Sequence, residues 1–134
     1  MEKVIQFLKD ADIVFIATAE PGGQPHIRPI GSMFDYNGGL YFCTRLAGAL
    51  CAELKANPKV EISIKKGAQW IRLAAEVAAD DSCDVADALV VHNPSLAKAP
   101  GFDLADYAVY KLASGSAIQI VEKVKLKLNA IHLI

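Results

Sequence analysis

Apolar and polar positions repeat with two different periods along this chain, and the changes of period mark its elements. Val4, Ile5 and Leu8 stand at helical spacing, with Glu2, Lys3, Lys9 and Asp10 around them. This predicts a short helix lying as a cap on something larger. Ile13 to Ala19 is then an unbroken β-branched and apolar run of strand length. Glu20-Pro21-Gly22-Gly23 closes it with strong turn chemistry, so a buried strand leading into a hairpin is expected. The return segment, Gln24 to Phe34, reads as a strand, but Pro25 and Pro29 cannot donate ladder hydrogen bonds and favour an edge or a bulge. Asp35-Tyr36-Asn37-Gly38-Gly39 is the next turn and Leu40 to Thr44 the next strand, so three consecutive antiparallel strands are predicted.

Between Arg45 and Ala56, Leu46, Leu50 and Leu54 recur every four residues, giving the stripe of a helix that begins near Leu46 and stops at Asn57-Pro58. Val60 to Ile64 alternates cleanly, and Trp70 to Ala78 reads as its hairpin partner across a turn at Lys65-Lys66-Gly67-Ala68. Asp81 to His92 has an acidic first turn and apolar Val85, Leu89 and Val90, which predicts a second main helix ended by Asn93-Pro94. Ala108 to Leu112 and Ser116 to Val121 are expected to form a last strand pair with Ser114-Gly115 at its turn. In the tail, residues 122–134, Lys123, Lys125 and Lys127 alternate with Val124, Leu126 and Leu128, the pattern of an added edge strand or a dimer arm. Seven or so strands and two main helices make the fold class mainly β with helices (α+β), a small antiparallel β-barrel in one domain spanning residues 1–134.

Composition narrows the classes of function. With 134 residues, 53% of them hydrophobic, the chain can bury a sizeable core without membrane help. A formal net charge of -1 gives no overall field toward nucleic acid or anionic lipid. No stretch approaches the roughly 18 to 20 continuous apolar residues of a membrane span, and Met1-Glu2-Lys3-Val4 does not open a signal peptide, so a cytoplasmic location is expected. Cys43, Cys51 and Cys83 are odd in number and have no CxxC spacing, which points to reduced, partly buried packing residues rather than disulfides or zinc.

The candidate chemistry lies in two stretches. In His26-Ile27-Arg28-Pro29, residues two apart share a strand face, so His26 and Arg28 project the same way. An arginine fixed on a strand suits a phosphate or an electron-rich ring edge; the plain alternative is a solvated edge strand. In Tyr41-Phe42-Cys43-Thr44-Arg45 a strand runs toward a helix start, where free N–H groups and partial positive charge favour a phosphate; the plain alternative is that Thr44 N-caps the helix. Cys43 beside Arg45 is either a thiol of lowered pKa or a buried strand-end thiol. Trp70 and Arg72 also share one face, suited either to stacking on a planar ligand or to packing. His92 and His132 have no metal-ligand spacing with His26, and no catalytic triad or phosphate-binding glycine loop stands out.

In this order, from the short helix through Ile13–Ala19, Gln24 to Pro29, Leu40 to Thr44 and the helix ending at Asn57-Pro58, then Val60 to Ser63 and Trp70-Ile71-Arg72, the chain resembles the pyridoxamine 5'-phosphate oxidase-like family of FMN-binding split barrels. The resemblance runs to about Val121. It implies a homodimer of two barrels with FMN in clefts at their interface. Arg28 would then lie near the flavin ring and phosphoribityl chain, with His26 and Pro29 beside it, and Ile30 would offer backbone contacts to the ring. Cys43, Thr44 and Arg45 would hold the phosphate region, and Trp70 would approach the cofactor across the dimer. A homodimer is also expected because the proline-bearing strand and the Tyr/Phe-rich strand would otherwise leave apolar surface exposed.

The chain departs from the pattern at one place. Many members carry a phosphate-contacting lysine where Gly48 stands, and losing one such partner costs on the order of 1 to 3 kcal/mol. Three functional expectations follow. The chain is an FMN-dependent oxidoreductase, or a non-catalytic module of the same fold holding flavin, deazaflavin or haem, or a dimeric barrel whose site is degenerate. Its short length argues against pyridoxamine phosphate as substrate.

Overall fold

A computed structural model describes residues 1–121 and 124–126. The elements run α1 (Glu2–Lys9), β1 (Ile13–Ala19), β2 (Pro25–Pro29), β3 (Phe34–Tyr36), β4 (Gly39–Arg45), α2 (Ala49–Ala56), β5 (Lys59–Lys66), β6 (Gln69–Ala79), α3 (Cys83–His92), α4 (Pro94–Ala97), a 3-10 turn (Leu104–Asp106), β7 (Tyr107–Val121) and β8 (Val124–Leu126). The strands form one antiparallel sheet in the order β2-β1-β5-β6-β7-β4-β3, with β8 added alongside β7. The rest of the tail read as an edge strand or dimer arm lies outside the described residues.

Alternating burial along β1, β5 and β6 sends Val14, Ile16, Ile62, Ile64, Ile71 and Leu73 to one side, where they meet Leu40 and Phe42 of β4 and Leu112 of β7 in one core. Strands at opposite ends of the order share that core, so the sheet is curled into a split barrel. α1 closes it with Val4, and α2 with Leu50, Cys51 and Leu54. Each such side chain contributes roughly 1.5 to 3 kcal/mol on burial. The other face of β3, β4 and β7 presents Phe34, Tyr41, Cys43 and Val109 to Val85, Ala88 and Leu89 of α3. The Tyr/Phe-rich strand is therefore covered on both faces within one chain and leaves no apolar surface for a partner.

Three local expectations are corrected. The segment Gln24 to Phe34 is two strands on opposite edges of the sheet, so the three-strand meander does not form. Pairing of β2 with β1 ends at Pro29, the chain leaves through Gly31, and β3 pairs with β4 across Asn37-Gly38, both at positive φ as a tight two-residue hairpin turn requires. The second correction is that the predicted last hairpin is one 15-residue strand, β7. Gly115 is no turn: a Cβ there would stand 2.2 Å from the Ala74 carbonyl oxygen, so glycine is what lets β6 approach. Glu76 pairs with Ser114 and Val77 with Leu112, which leaves Ala113 unmatched as a bulge that helps a long strand bend round the barrel. Finally, α2 begins three residues later than its leucine stripe suggests. Thr44 and Arg45 end β4, Gly48 is the N-cap, and Leu46 lies outside the helix, 48% exposed.

Candidate functional site

The offset start of α2 creates the site. β4 delivers Cys43, Thr44 and Arg45 to the end of the barrel, and Gly48 N of the turn that follows donates to Arg45 O at 3.0 Å. α2 then starts with no capping side chain and no acidic residue in its first turn. Its first N–H groups have no acceptor within the helix and carry the positive end of its dipole. Opposite them runs the stretch from Arg28 to Ser32. Together these segments line a cleft of about 520 Å³, closed at one side by Tyr107.

Of the residues the sequence singled out, Arg28, Pro29, Ile30, Cys43, Thr44 and Arg45 line this cleft. Two do not. His26 does share a face with Arg28, but its Nε2 is 2.8 Å from Glu20 Oε1 across the β1–β2 turn, and it lines no part of the cleft. Trp70 pairs with Lys65 of β5 on the sheet face opposite Ile71 and Leu73, away from this chain's own cleft. Arg72 shares that outer face, and its Nε is buried without a hydrogen-bond partner among the described residues. His132 lies outside the described residues, and no cluster of metal-ligating side chains occurs among those that are described.

The two cleft arginines differ in their surroundings. Arg28 Nη2 donates to both carboxylate oxygens of Glu53 on α2, at 2.8 and 3.0 Å. The hydroxyl of Thr18, itself 4% exposed, donates to Glu53 Oε1. The Thr18 hydrogen bond, with the Arg28 pairing behind it, holds the Glu53 carboxyl below the ordinary carboxylate range. The charge of Arg28 is thus matched within the chain. Arg45 is exposed, stands over the Tyr107 ring at 5.4 Å to its centroid, and has no carboxylate partner among the described residues. It is the cleft's uncompensated cation.

Thr44 does not cap the helix, so its hydroxyl is not committed to the backbone of α2. The backbone N–H of Ile30 donates to Val14 O at 2.8 Å, which leaves its carbonyl, not its N–H, for a ligand. Cys43 is the buried strand-end thiol: burial pushes it above its ordinary range, against a smaller downward pull from Ser32. Ser32 holds the cleft wall in place of a strand partner, since its hydroxyl donates to Cys43 O (3.1 Å) and accepts from Cys43 N (3.0 Å). Cys51 is buried as expected, whereas Cys83 on α3 is exposed. The thiol of Cys51 lies 3.6 Å from the Tyr110 hydroxyl, and burial pushes that phenol up to about 12.

Sequence reasoning missed Thr18, Ser32, Glu53 and Tyr107. No local signal marks Glu53, which sits between Leu50 and Leu54 like any solvated helix position and meets Arg28 only through the fold. A separate recess of about 400 Å³, lined by Leu46, Ala86, Leu104 and Val109 among others, shares only Tyr107 with the cleft.

The chain thus combines a split barrel with an uncapped helix start, an exposed cation and an apolar wall at one end of the barrel. The sequence matches the pyridoxamine 5'-phosphate oxidase family over residues 1–102, and the chain belongs to that family. A NimC/NimA family protein from Clostridium acetobutylicum is 34% identical, with a TM-score of 0.82 over 96% of this chain and 93% of that one. The fold is shared with a pyridoxamine 5'-phosphate oxidase, described as putative, from Listeria innocua (14% identity, TM-score 0.70, 92% and 98% covered). It is also shared with a heme binding protein from Mycobacterium smegmatis (17% identity, TM-score 0.74, 95% of this chain and 56% of that one). None of the curated proteins compared matches the sequence.

Proposed function

We propose that the chain is an FMN-binding flavoprotein oxidoreductase that works as a homodimer in the cytoplasm. The observation that carries this reading is the convergence of the uncapped start of α2, Thr44 and the unpaired Arg45 on one side of a cleft whose other side is Arg28 to Ser32. The donor set fits a phosphate. Arg45 and the first N–H groups of α2 would hold it, with Thr44 as a further donor, and Arg28, fixed by Glu53, would flank the ribityl and ring portion. A Cβ at Gly48 would meet Arg45 O at 3.3 Å, so glycine keeps this corner open.

When bound, a flavin supplies the redox chemistry, exchanging a hydride or single electrons with a second molecule. The chain's own residues bind it, orient it and shield one side of it. Cys43 is held neutral by burial, and Glu53, behind Arg28, is committed to that arginine.

The dimer is supported by the outer face of β1 and β2. Phe15 pairs with Pro29 and Ala17 with Ile27 there, and Ile27 is 71% and Ile13 37% exposed. This apolar strip adjoins the cleft at Pro29, so a second copy would cover both. A cytoplasmic setting agrees with three unpaired cysteines, one of them exposed.

The test is a flavin-fluorescence titration of the wild type and Arg45→Ala, beside an absorption spectrum of freshly purified protein. FMN should quench on the wild type and bind about tenfold more weakly to the variant, with circular dichroism unchanged. A deazaflavin or haem spectrum, or equal FMN affinity in the two proteins, contradicts the assignment.

A further inference from the structure

We infer that a recess beside the cleft is a second ligand site, for a small uncharged planar molecule with a hydrogen-bonding edge, recognised by His92, Asn93 and Ser95. It rests on the flavin reading above, in which this molecule would be the flavin's reaction partner. The recess holds about 410 Å³ and has Gly31, Ser32 and Cys43 in its lining, residues that also line the cleft, so the two lie side by side. Its far wall is the end of α3 and the start of α4.

Three polar side chains on that wall, exposed His92 and Ser95 and half-buried Asn93, keep hydrogen-bonding capacity unused among the described residues. The His92 ring stacks on Phe34 at 5.5 Å between centroids and 25° between planes, and Phe34 stacks in turn on Tyr41 at 5.5 Å and 19°. This column of rings fixes the imidazole, yet no hydrogen bond to either ring nitrogen is made among the described residues. The Asn93 amide nitrogen donates to Ser32 O (3.3 Å) and Leu89 O (3.1 Å), which pins the side chain and leaves Oδ1 as a free acceptor. The Ser95 hydroxyl is likewise unengaged among the described residues. The Ser32 hydroxyl, by contrast, is spent on Cys43.

An oriented imidazole, a pinned carbonyl oxygen and a hydroxyl thus offer a donor and acceptor pattern in a recess that no carboxylate, lysine or arginine lines. Such a lining recognises a neutral ligand that both donates and accepts, and Leu96 and Pro94 give it an apolar flank. A carboxamide on a flat ring has this chemistry.

Nicotinamide is a suitable probe, titrated by amide NMR into 15N-labelled protein both without and with saturating FMN. Shifts confined to Ser32 and His92 to Leu96 should appear in both cases. Affinity should fall about tenfold in His92→Phe, which keeps the ring column but removes the nitrogens, and severalfold in Ser95→Ala. Equal nicotinamide affinity in wild type and both variants overturns the site, as does the absence of shifts at residues 92–96. Loss of the shifts on adding FMN overturns it as well, because the flavin then fills the recess itself. Failure of FMN to bind, with nicotinamide still shifting residues 92–96, instead removes the flavin reading and leaves the recess standing.

Discussion

Glu53→Ala is the substitution whose cost follows most directly from the site. It strips Arg28, whose side chain is 27% exposed, of its carboxylate, and it leaves the hydroxyl of the buried Thr18 without an acceptor. An unsatisfied buried hydroxyl costs about 1 to 3 kcal/mol. The ion pair is partly solvated, so its loss adds about 1 kcal/mol rather than the larger figure for a fully buried pair. The sum, roughly 2 to 4 kcal/mol, is a large share of the 5 to 15 kcal/mol typical of a domain. Urea unfolding should show it as a lower midpoint at unchanged slope. The pH dependence fixes the cause. The folded-state pKa of Glu53 is lowered, so its contribution is full above the unfolded-state value and is lost as pH falls through the folded one. The gap between wild type and Glu53→Gln should therefore be widest near neutrality and close below about pH 4. An unchanged midpoint for Glu53→Ala, or a gap that is the same at pH 3 and pH 7, refutes the Thr18–Glu53–Arg28 cluster as a stabilising unit.

The thiols and the apolar outer face give two further checks. Under native conditions a thiol reagent should label Cys83 quickly and Cys43 and Cys51 about two orders of magnitude more slowly, in keeping with their exposure; fast labelling of Cys43 would contradict its burial. Light scattering should return twice the 14.4 kDa chain mass, and Ile27→Asp should shift it toward the monomer; a monomeric wild type at micromolar concentration would remove the shared interface.

Elements that bury one face were readable from their period. Ile13 to Ala19, an unbroken β-branched and apolar run, Val60 to Ile64, which alternates, and Trp70 to Ala78, its partner across a turn, lie inside β1, β5 and β6. Where the reading went astray, a local signal had two physical meanings. Ser114-Gly115 has the chemistry of a turn, but here the missing Cβ accommodates the neighbouring strand. Leu46 continues the α2 stripe by spacing, yet the backbone is not helical there, and that offset is what exposes the helix start to the cleft. Pro29 was legible as an interruption of pairing. That β2 and β3 then part to opposite sheet edges is a property of the topology, which no short window carries.

The site divides in the same way. Arg28, Pro29, Ile30, Cys43, Thr44 and Arg45 lie on two short stretches that the fold brings to one cleft. His26 was included for sharing a face with Arg28, and a carboxylate six residues away, Glu20, holds it instead. Glu53 escaped because its importance depends on Thr18 and Arg28, distant in sequence and adjacent only once α2 closes the barrel.

The central claim, that the start of α2 and Arg45 face the phosphate of a flavin, is tested most directly by titrating FMN and riboflavin into wild type and Gly48→Lys at two salt concentrations. Gly48 is the N-cap at φ -83° and not a helix-interior position, so the substitution brings no gain in helix propensity, and because the new Cβ meets Arg45 O at 3.3 Å for either ligand, the difference between FMN and riboflavin is what reports the added charge. The account predicts tighter FMN binding by Gly48→Lys, an effect that weakens as salt rises, and riboflavin affinity that barely changes. The same response to both flavins would contradict it and remove the phosphate from this corner of the cleft.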